Sequence, residues 1–215
     1  MQPSKNQVAK ILKIIKRTYP DAKCALGHSS PLQLLVATIL SAQCTDVRVN
    51  MVTPALFRRY PSAKEFSRAS LANIQKLIHS TGFYRNKAKN IKEACRRIMY
   101  YFNGEVPNSM EDLLSLPGVA RKTANVVLGN SYGLISGIVV DTHVFRIAHR
   151  LGLTTGKNPE KVEQDLMRII PKKEWINVSH RLINHGRKVC SARKPCCSIC
   201  TLERHCLKIG VTNLL

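Results

Sequence analysis

The sequence predicts an all-α fold of about ten helices joined by short connections. Three observations carry that expectation. Apolar residues recur at three- and four-residue spacing along nearly the whole chain. Serine, aspartate and Pro-Gly signals punctuate the pattern at helix-length intervals. No run alternates with period two for long enough to make a strand, Ile138–Val140 being only briefly β-branched. With 215 residues and 44% apolar composition, the chain can form one large or two small domains around a sizeable core.

The elements follow in order. Val8, Ile11, Leu12, Ile15 and Tyr19 share one face of a first helix, with lysines elsewhere. Ser30-Pro31 opens a second, the serine as cap and the proline in the first turn. Its run Leu32–Leu40 is apolar almost all round, which predicts a central, buried helix ending in the polar Ser41-Ala42-Gln43-Cys44-Thr45-Asp46. A third helix spans about Val47 to Tyr60. Ser62 and Glu65 form a capping-box pattern for a short fourth, and Ser70 opens a fifth that Gly82 closes. From Asn86 to Phe102 the apolar positions step by three and four, and Lys87, Lys89, Lys92, Arg96 and Arg97 are expected on other faces, making this helix basic outside. Ser109 and Asp112 start the next, which Pro117-Gly118 ends. Helices resume at about Ala120–Gly129, Asp141–Leu151, Pro159–Ile170 and Lys173–His185.

Charge narrows the function classes. The chain has 34 Lys+Arg against 13 Asp+Glu, a formal net charge of +21, which calls for a polyanionic partner and most simply nucleic acid. An acidic membrane surface is the weaker rival, because no basic amphipathic segment stands apart from the core. No run of about eighteen apolar residues exists, so nothing is expected to span a bilayer. Lysines interrupt the apolar run of the N-terminal stretch, and it lacks a small-residue cleavage site, unlike a signal peptide. The expected setting is the reducing cytoplasm, in a bacterium alongside the nucleoid. There, eight cysteines are ligands or buried thiols rather than disulfides.

Five of those cysteines crowd the C-terminus. Cys190, Cys197, Cys200 and Cys206 are separated by six, two and five residues, close enough to enclose a metal centre of zinc or iron–sulfur type. Structural zinc more often shows two Cys-x-x-Cys pairs, and only one is present here. Spacing alone leaves the two nearly even. Cys196 could replace Cys197 as ligand or be a spectator. Arg193 and Lys194 make the loop too polar for simple buried thiols and place two cations where a phosphate could meet them.

The second dense stretch runs Leu116-Pro117-Gly118-Val119-Ala120 and joins two helices through a turn rich in backbone amides. Glycine permits positive φ and close approach, and the following helix starts with its amides pointing outward. Such a nest binds phosphate without reading sequence, although a Pro-Gly break by itself is usually just a helix end. Arg121 and Lys122 immediately after it favour the phosphate reading. On residue type alone, a phosphate-binding lysine is commoner than a nucleophilic one.

LPGVARKTANVV, followed by VVDTHVFR and then Cys-x6-Cys-x2-Cys-x5-Cys, closely resembles the endonuclease III family of DNA glycosylases. The likeness extends back through LLVATILSAQCTDVRVN and TGFYRNKAKNI, so it covers most of the chain from about residue 30. It implies a two-lobed helix-hairpin-helix fold. One lobe is a helical barrel over residues 24–135, and the other combines residues 1–23 and 136–215 with a 4Fe-4S loop at 190–206. It implies base-excision repair by a bifunctional glycosylase and abasic-site lyase acting on oxidised pyrimidines. The matching lysine, Lys122, attacks C1′ of the damaged nucleotide and forms a Schiff base, with Asp141 stabilising charge and accepting a proton. Cys190, Cys197, Cys200 and Cys206 match the cluster ligands. Gln43 matches the residue that fills the vacated base position, and Phe83 the opposite wedge, where the family often has leucine. Leu116, Gly118, Ala120 and Arg121 belong to the hairpin that meets the DNA backbone, with His143, Arg193 and Lys194 as further contacts. Ala120 departs from the pattern, which usually has a second glycine; a methyl there would be strained at positive φ. The implied partner is double-stranded DNA carrying damaged bases or abasic sites, bound by a monomer without a membrane. Two alternatives stay open: an adenine-mismatch glycosylase of the related branch, which generally lacks the lysine, and a non-catalytic DNA-binding module with structural zinc.

Overall fold

A computed structural model of the chain describes residues 3–212. Among these, eleven α-helices follow one another: α1 (Lys5–Thr18), α2 (Pro31–Leu40), α3 (Asp46–Arg59), α4 (Ala63–Arg68), α5 (Leu71–Ile78), α6 (Tyr84–Tyr101), α7 (Met110–Leu114), α8 (Arg121–Tyr132), α9 (Thr142–Arg150), α10 (Pro159–Ile169) and α11 (Trp175–Lys188). No strand occurs among the described residues. The fold is all-α.

The helix starts are written locally. Ser4, Ser30, Thr45, Ser62, Ser70, Ser109 and Asn158 each accept a first-turn amide with the side chain, which satisfies a donor that helix geometry leaves over. At Ser62 the capping serine also donates its hydroxyl to Glu65. Gly82 does not end α5 directly: the helix stops at Ile78, a 3₁₀ turn occupies His79–Thr81, and Gly82 follows at φ 69°. Ile138 and Val140 are buried but belong to no regular element.

The chain divides into two units. One comprises Met1–Lys23 with Gly137–Leu215, and the other is Cys24–Ser136. In the second unit α2 is the hub: Leu34 through Leu40 are all buried, which is what an uninterrupted apolar run demands. Leu56, Phe66, Ile74, Ile91 and Leu113 from the surrounding helices complete that core. In the first unit Ile11 and Ile15 of α1 pack with Val144, Ile147 and Ala148 of α9, and with Leu182 of α11. Cys190, Cys200 and Cys206 lie against the same core.

Candidate functional site

The hairpin in the Cys24–Ser136 unit is built by α7, a six-residue turn and α8. Leu116 N–H donates to Leu113 and Val119 N–H to Leu116, closing the turn on itself. Gly118 has φ 77°, and a Cβ there would stand 2.9 Å from Asn90 of α6, so glycine is required twice over. Ala120 has φ −94° and ψ 170°, extended backbone that any residue adopts, so its methyl group introduces no strain. As the N-cap of α8 it offers no side-chain acceptor, which leaves the first-turn amides uncapped and facing outward. Leu116 is only 2% exposed, so its side chain belongs to the core and only its backbone could meet a ligand. Gly118, Ala120, Arg121 and Lys122 are exposed. Lys122 stands in solvent in the second position of α8.

Two other loops of this unit carry strained, exposed residues. Gln43, just beyond α2, has φ 52°, and Phe83, just before α6, has φ 47°. Left-handed backbone at a residue with a side chain costs roughly 1–2 kcal/mol and collects at functional loops. Phe83 is 65% exposed, an expensive posture for an aromatic ring that could have been buried. Between these loops lies Lys87, expected on the basic exterior of α6. It is 5% exposed instead, and its Nζ donates at 2.8 Å to Leu40 O at the end of α2 and at 2.8 Å to Thr81 O before Phe83. Burial pushes its ammonium below the ordinary lysine range, with the Cys44 thiol acting in the opposite direction. The sequence did contain a signal, because Lys87 sits one helical repeat before the buried Ile91.

In the other unit Asp141 is the N-cap of α9. Its Oδ1 accepts from His143 N and Val144 N, both at 2.8 Å, so one oxygen fixes the carboxylate while the other takes no part in the cap. His143 is half-buried, and its Nδ1 lies 3.1 Å from Arg146 Nη2. A guanidinium has only donors, so in this contact Nδ1 is the acceptor. Burial lowers its basicity first; Asp141 raises it, while Arg146 and Arg187 lower it. Arg146 Nη2 also donates to Gly186 O at 3.2 Å and Cys190 O at 2.8 Å, which ties α9 to the end of α11.

The sequence reading passed over Gly186. A Cβ on this residue would approach His143 Nδ1 to 2.7 Å and Arg146 Nη2 to 3.1 Å. Gly186→Ala is therefore expected to push the first turn of α9 out of place, at a cost of about 1–3 kcal/mol for overpacking. Thermal melting and base-release kinetics would check it; wild-type values for both would show that the contact yields freely.

All five C-terminal cysteines line one cavity, walled by Ile147, Leu151, His185 and Leu202. Among the described residues no group of three or more His, Cys, Asp or Glu side chains is arranged as a single-ion site. The buried Arg150 donates to Cys190 Sγ at 3.1 Å and to the carbonyls of Ser191 and Ala192, and Lys208 N donates to Cys206 Sγ at 3.4 Å. N–H groups aimed at sulfur suit a site that holds thiolates at a metal centre. Burial pushes Cys200 up to about 11; the Leu202 backbone hydrogen bond opposes the rise, and Cys190, Cys206 and Cys197 add to it. On the same loop Ser191 Oγ accepts Lys194 N–H at 3.2 Å, and Arg193 and Lys194 are exposed.

Comparison with known proteins fits this geometry. Residues 36–172 match the family described as the HhH-GPD superfamily base excision DNA repair protein. Endonuclease III of Synechocystis sp. is 57% identical over 206 residues, 96% of this chain and 94% of that protein. Endonuclease III of Escherichia coli strain K12 is 41% identical over 91% of this chain and 92% of that one. Among solved structures, a trapped endonuclease III–DNA covalent intermediate in an estranged-adenine complex superposes with TM-score 0.92 at 43% identity, covering 96% of this chain and 97% of that one. A thermostable thymine-DNA glycosylase shares the fold at TM-score 0.82 and 22% identity.

Proposed function

The chain belongs to the endonuclease III family of the HhH-GPD superfamily, and from that premise we propose that Lys122 and Asp141 carry its chemistry on oxidised pyrimidines and abasic sites. At the coarser level the function is that of the family: a DNA-binding base-excision repair enzyme, glycosylase and abasic-site lyase. The observation that carries the finer reading is the start of α8, where the N-cap Ala120 offers no side-chain cap and an exposed lysine stands in the first turn.

The neutral Nζ of Lys122 attacks C1′, and the glycosidic C1′–N bond breaks with its electron pair leaving on the base, which takes up a proton. Loss of the amine proton and opening of the sugar ring give an imine at C1′. Removal of a C2′ proton then expels the 3′ phosphate by β-elimination, and water hydrolyses the imine to release the enzyme. The Asp141 carboxylate, held by its cap, stabilises positive charge at the sugar and accepts protons. The uncapped α8 amides hold a backbone phosphate, with Gly118 allowing close approach. A target inside a duplex has to be extruded first. Gln43 fills the space it leaves and Phe83 wedges from the other side, a reading supported by their exposure and left-handed backbone at two loop tips. Arg121, His143, Arg193 and Lys194 complete the backbone contacts. The protein works as a monomer in the cytoplasm; no helix among the described residues is long and apolar enough to cross a membrane.

Cys190, Cys197, Cys200 and Cys206 would hold the 4Fe-4S cluster, whose four iron–thiolate bonds would fix the loop that carries Arg193 and Lys194. Cys197→Ser is expected to lower iron and sulfide content and bleach the visible absorption, whereas Cys196→Ser keeps both. The reverse pattern would make Cys196 the ligand, and stoichiometric zinc without sulfide would end the cluster assignment.

Reductive trapping tests the function. Borohydride added to enzyme with duplex DNA containing an oxidised pyrimidine or an abasic site is expected to yield a covalent adduct. Base release only from adenine mismatches, without an adduct, would favour the adenine-mismatch branch instead.

A further inference from the structure

We propose that Lys87 is a positioning residue that sets the two DNA-penetrating loops as one unit, through its ammonium bonds to Leu40 O and Thr81 O. The inference rests on the reading of Gln43 and Phe83 as inserted side chains and adds the element that couples them.

The need for a clamp follows from the backbone. The last carbonyls of α2 have no partner within the helix and carry the negative end of its dipole. Leu40 is the last residue of α2, three before Gln43, and its carbonyl receives a buried cation. Thr81 ends the 3₁₀ turn two residues before Phe83, and its carbonyl receives the same cation. Lys87 itself belongs to α6, whose first backbone bond runs from Lys87 N–H to Phe83 O. One residue therefore holds the Phe83 segment through its backbone and its side chain, and reaches the Gln43 segment through the side chain alone.

The loops need such support because neither is in a relaxed conformation. Both Gln43 and Phe83 hold left-handed backbone, and Phe83 caps α6 with no side-chain bond of its own. An aliphatic residue at position 87 would leave two carbonyls without a donor and let the strained residues relax independently. A lysine burying its stem while pairing its ammonium with two carbonyls satisfies both ends at one site. Among the described residues, the titratable side chain that bears on this ammonium is Cys44, which neighbours Gln43.

The experiment compares affinity for a duplex with a tetrahydrofuran abasic analogue against an undamaged duplex of the same sequence. 2-Aminopurine placed opposite the analogue reports unstacking by the inserted side chains. Lys87→Met keeps the stem and removes the donors. It is expected to reduce the preference for the abasic duplex about tenfold and to weaken the fluorescence rise, with affinity for undamaged DNA within about twofold of wild type. Gln43→Ala/Phe83→Ala should show the same loss, and adding Lys87→Met to that background should cost less than about a further twofold, as coupled residues do.

Equal loss on both duplexes, or full additivity in the combined variant, overturns the clamp. If Gln43→Ala/Phe83→Ala keeps the wild-type preference, the inserted-side-chain reading fails instead. If that variant loses the preference and Lys87→Met does not, only the clamp fails. Should Lys87→Met not fold, Lys87→Gln, with one shorter donor, enters the same comparison under the same thresholds. Failure of both to fold makes Lys87 a requirement of the core and overturns its loop-setting role.

Discussion

Lys122→Ala is expected to abolish borohydride trapping on abasic-site DNA while leaving the protein folded. The two halves of that expectation rest on different facts. Lys122 is exposed at the second position of α8, where alanine is a favourable helix residue, so stability should stay within about 0.5 kcal/mol of wild type. The adduct requires an amine at C1′, and removing a nucleophile costs on the order of 10³- to 10⁶-fold. The rival role for this lysine, a phosphate contact beside the uncapped amides of α8, predicts something else. Losing one phosphate contact weakens binding by about tenfold or less and shifts the salt dependence by roughly one ion, with trapping intact once DNA is saturating. Affinity and trapping yield therefore have to be measured on the same variant at saturating DNA. Wild-type trapping under those conditions would mean that another amine is the nucleophile.

The sequence made some of this legible because the physics is local. A capping serine or aspartate bonds within three residues of itself, so helix starts at Ser30, Ser70 and Asp141 could be read directly. The hairpin was legible for the same reason, since Gly118 and the outward amides are properties of five consecutive residues. What escaped depends on partners distant in sequence. Lys87 looked like one more basic residue on α6, yet its carbonyl acceptor at Leu40 lies 47 residues away. Gly186 looked like an ordinary helix glycine, although its neighbours are the side chains of α9. The conformation of Ala120 could not be read either, because the family pattern of glycine suggested a positive φ that position 120 does not adopt. Arg150 follows the same rule: its three bonds to the cysteine loop cross about forty residues of chain, and nothing in its own helix announces them.

Asp141 is the residue in which a local structural role and the chemistry overlap, and asparagine separates them. Asn caps a helix about as well as Asp, and its Oδ1 can accept the same two amides from His143 and Val144. Asp141→Asn should therefore keep the cap and lose only the favourable charge at the positive end of α9, about 0.3–1 kcal/mol. Asp141→Ala loses the cap as well, at about 0.5–2 kcal/mol, and should melt a few degrees lower than the asparagine variant. Chemistry sorts the variants differently. An amide neither offsets positive charge at C1′ nor accepts a proton, so both substitutions should slow base release by about 10²- to 10⁴-fold. The telling comparison is thus a melting temperature that distinguishes the two variants beside a rate that does not. If Asp141→Asn releases base at the wild-type rate and only Asp141→Ala is slow, the carboxylate is a cap alone, and proton transfer and charge stabilisation must come from another group.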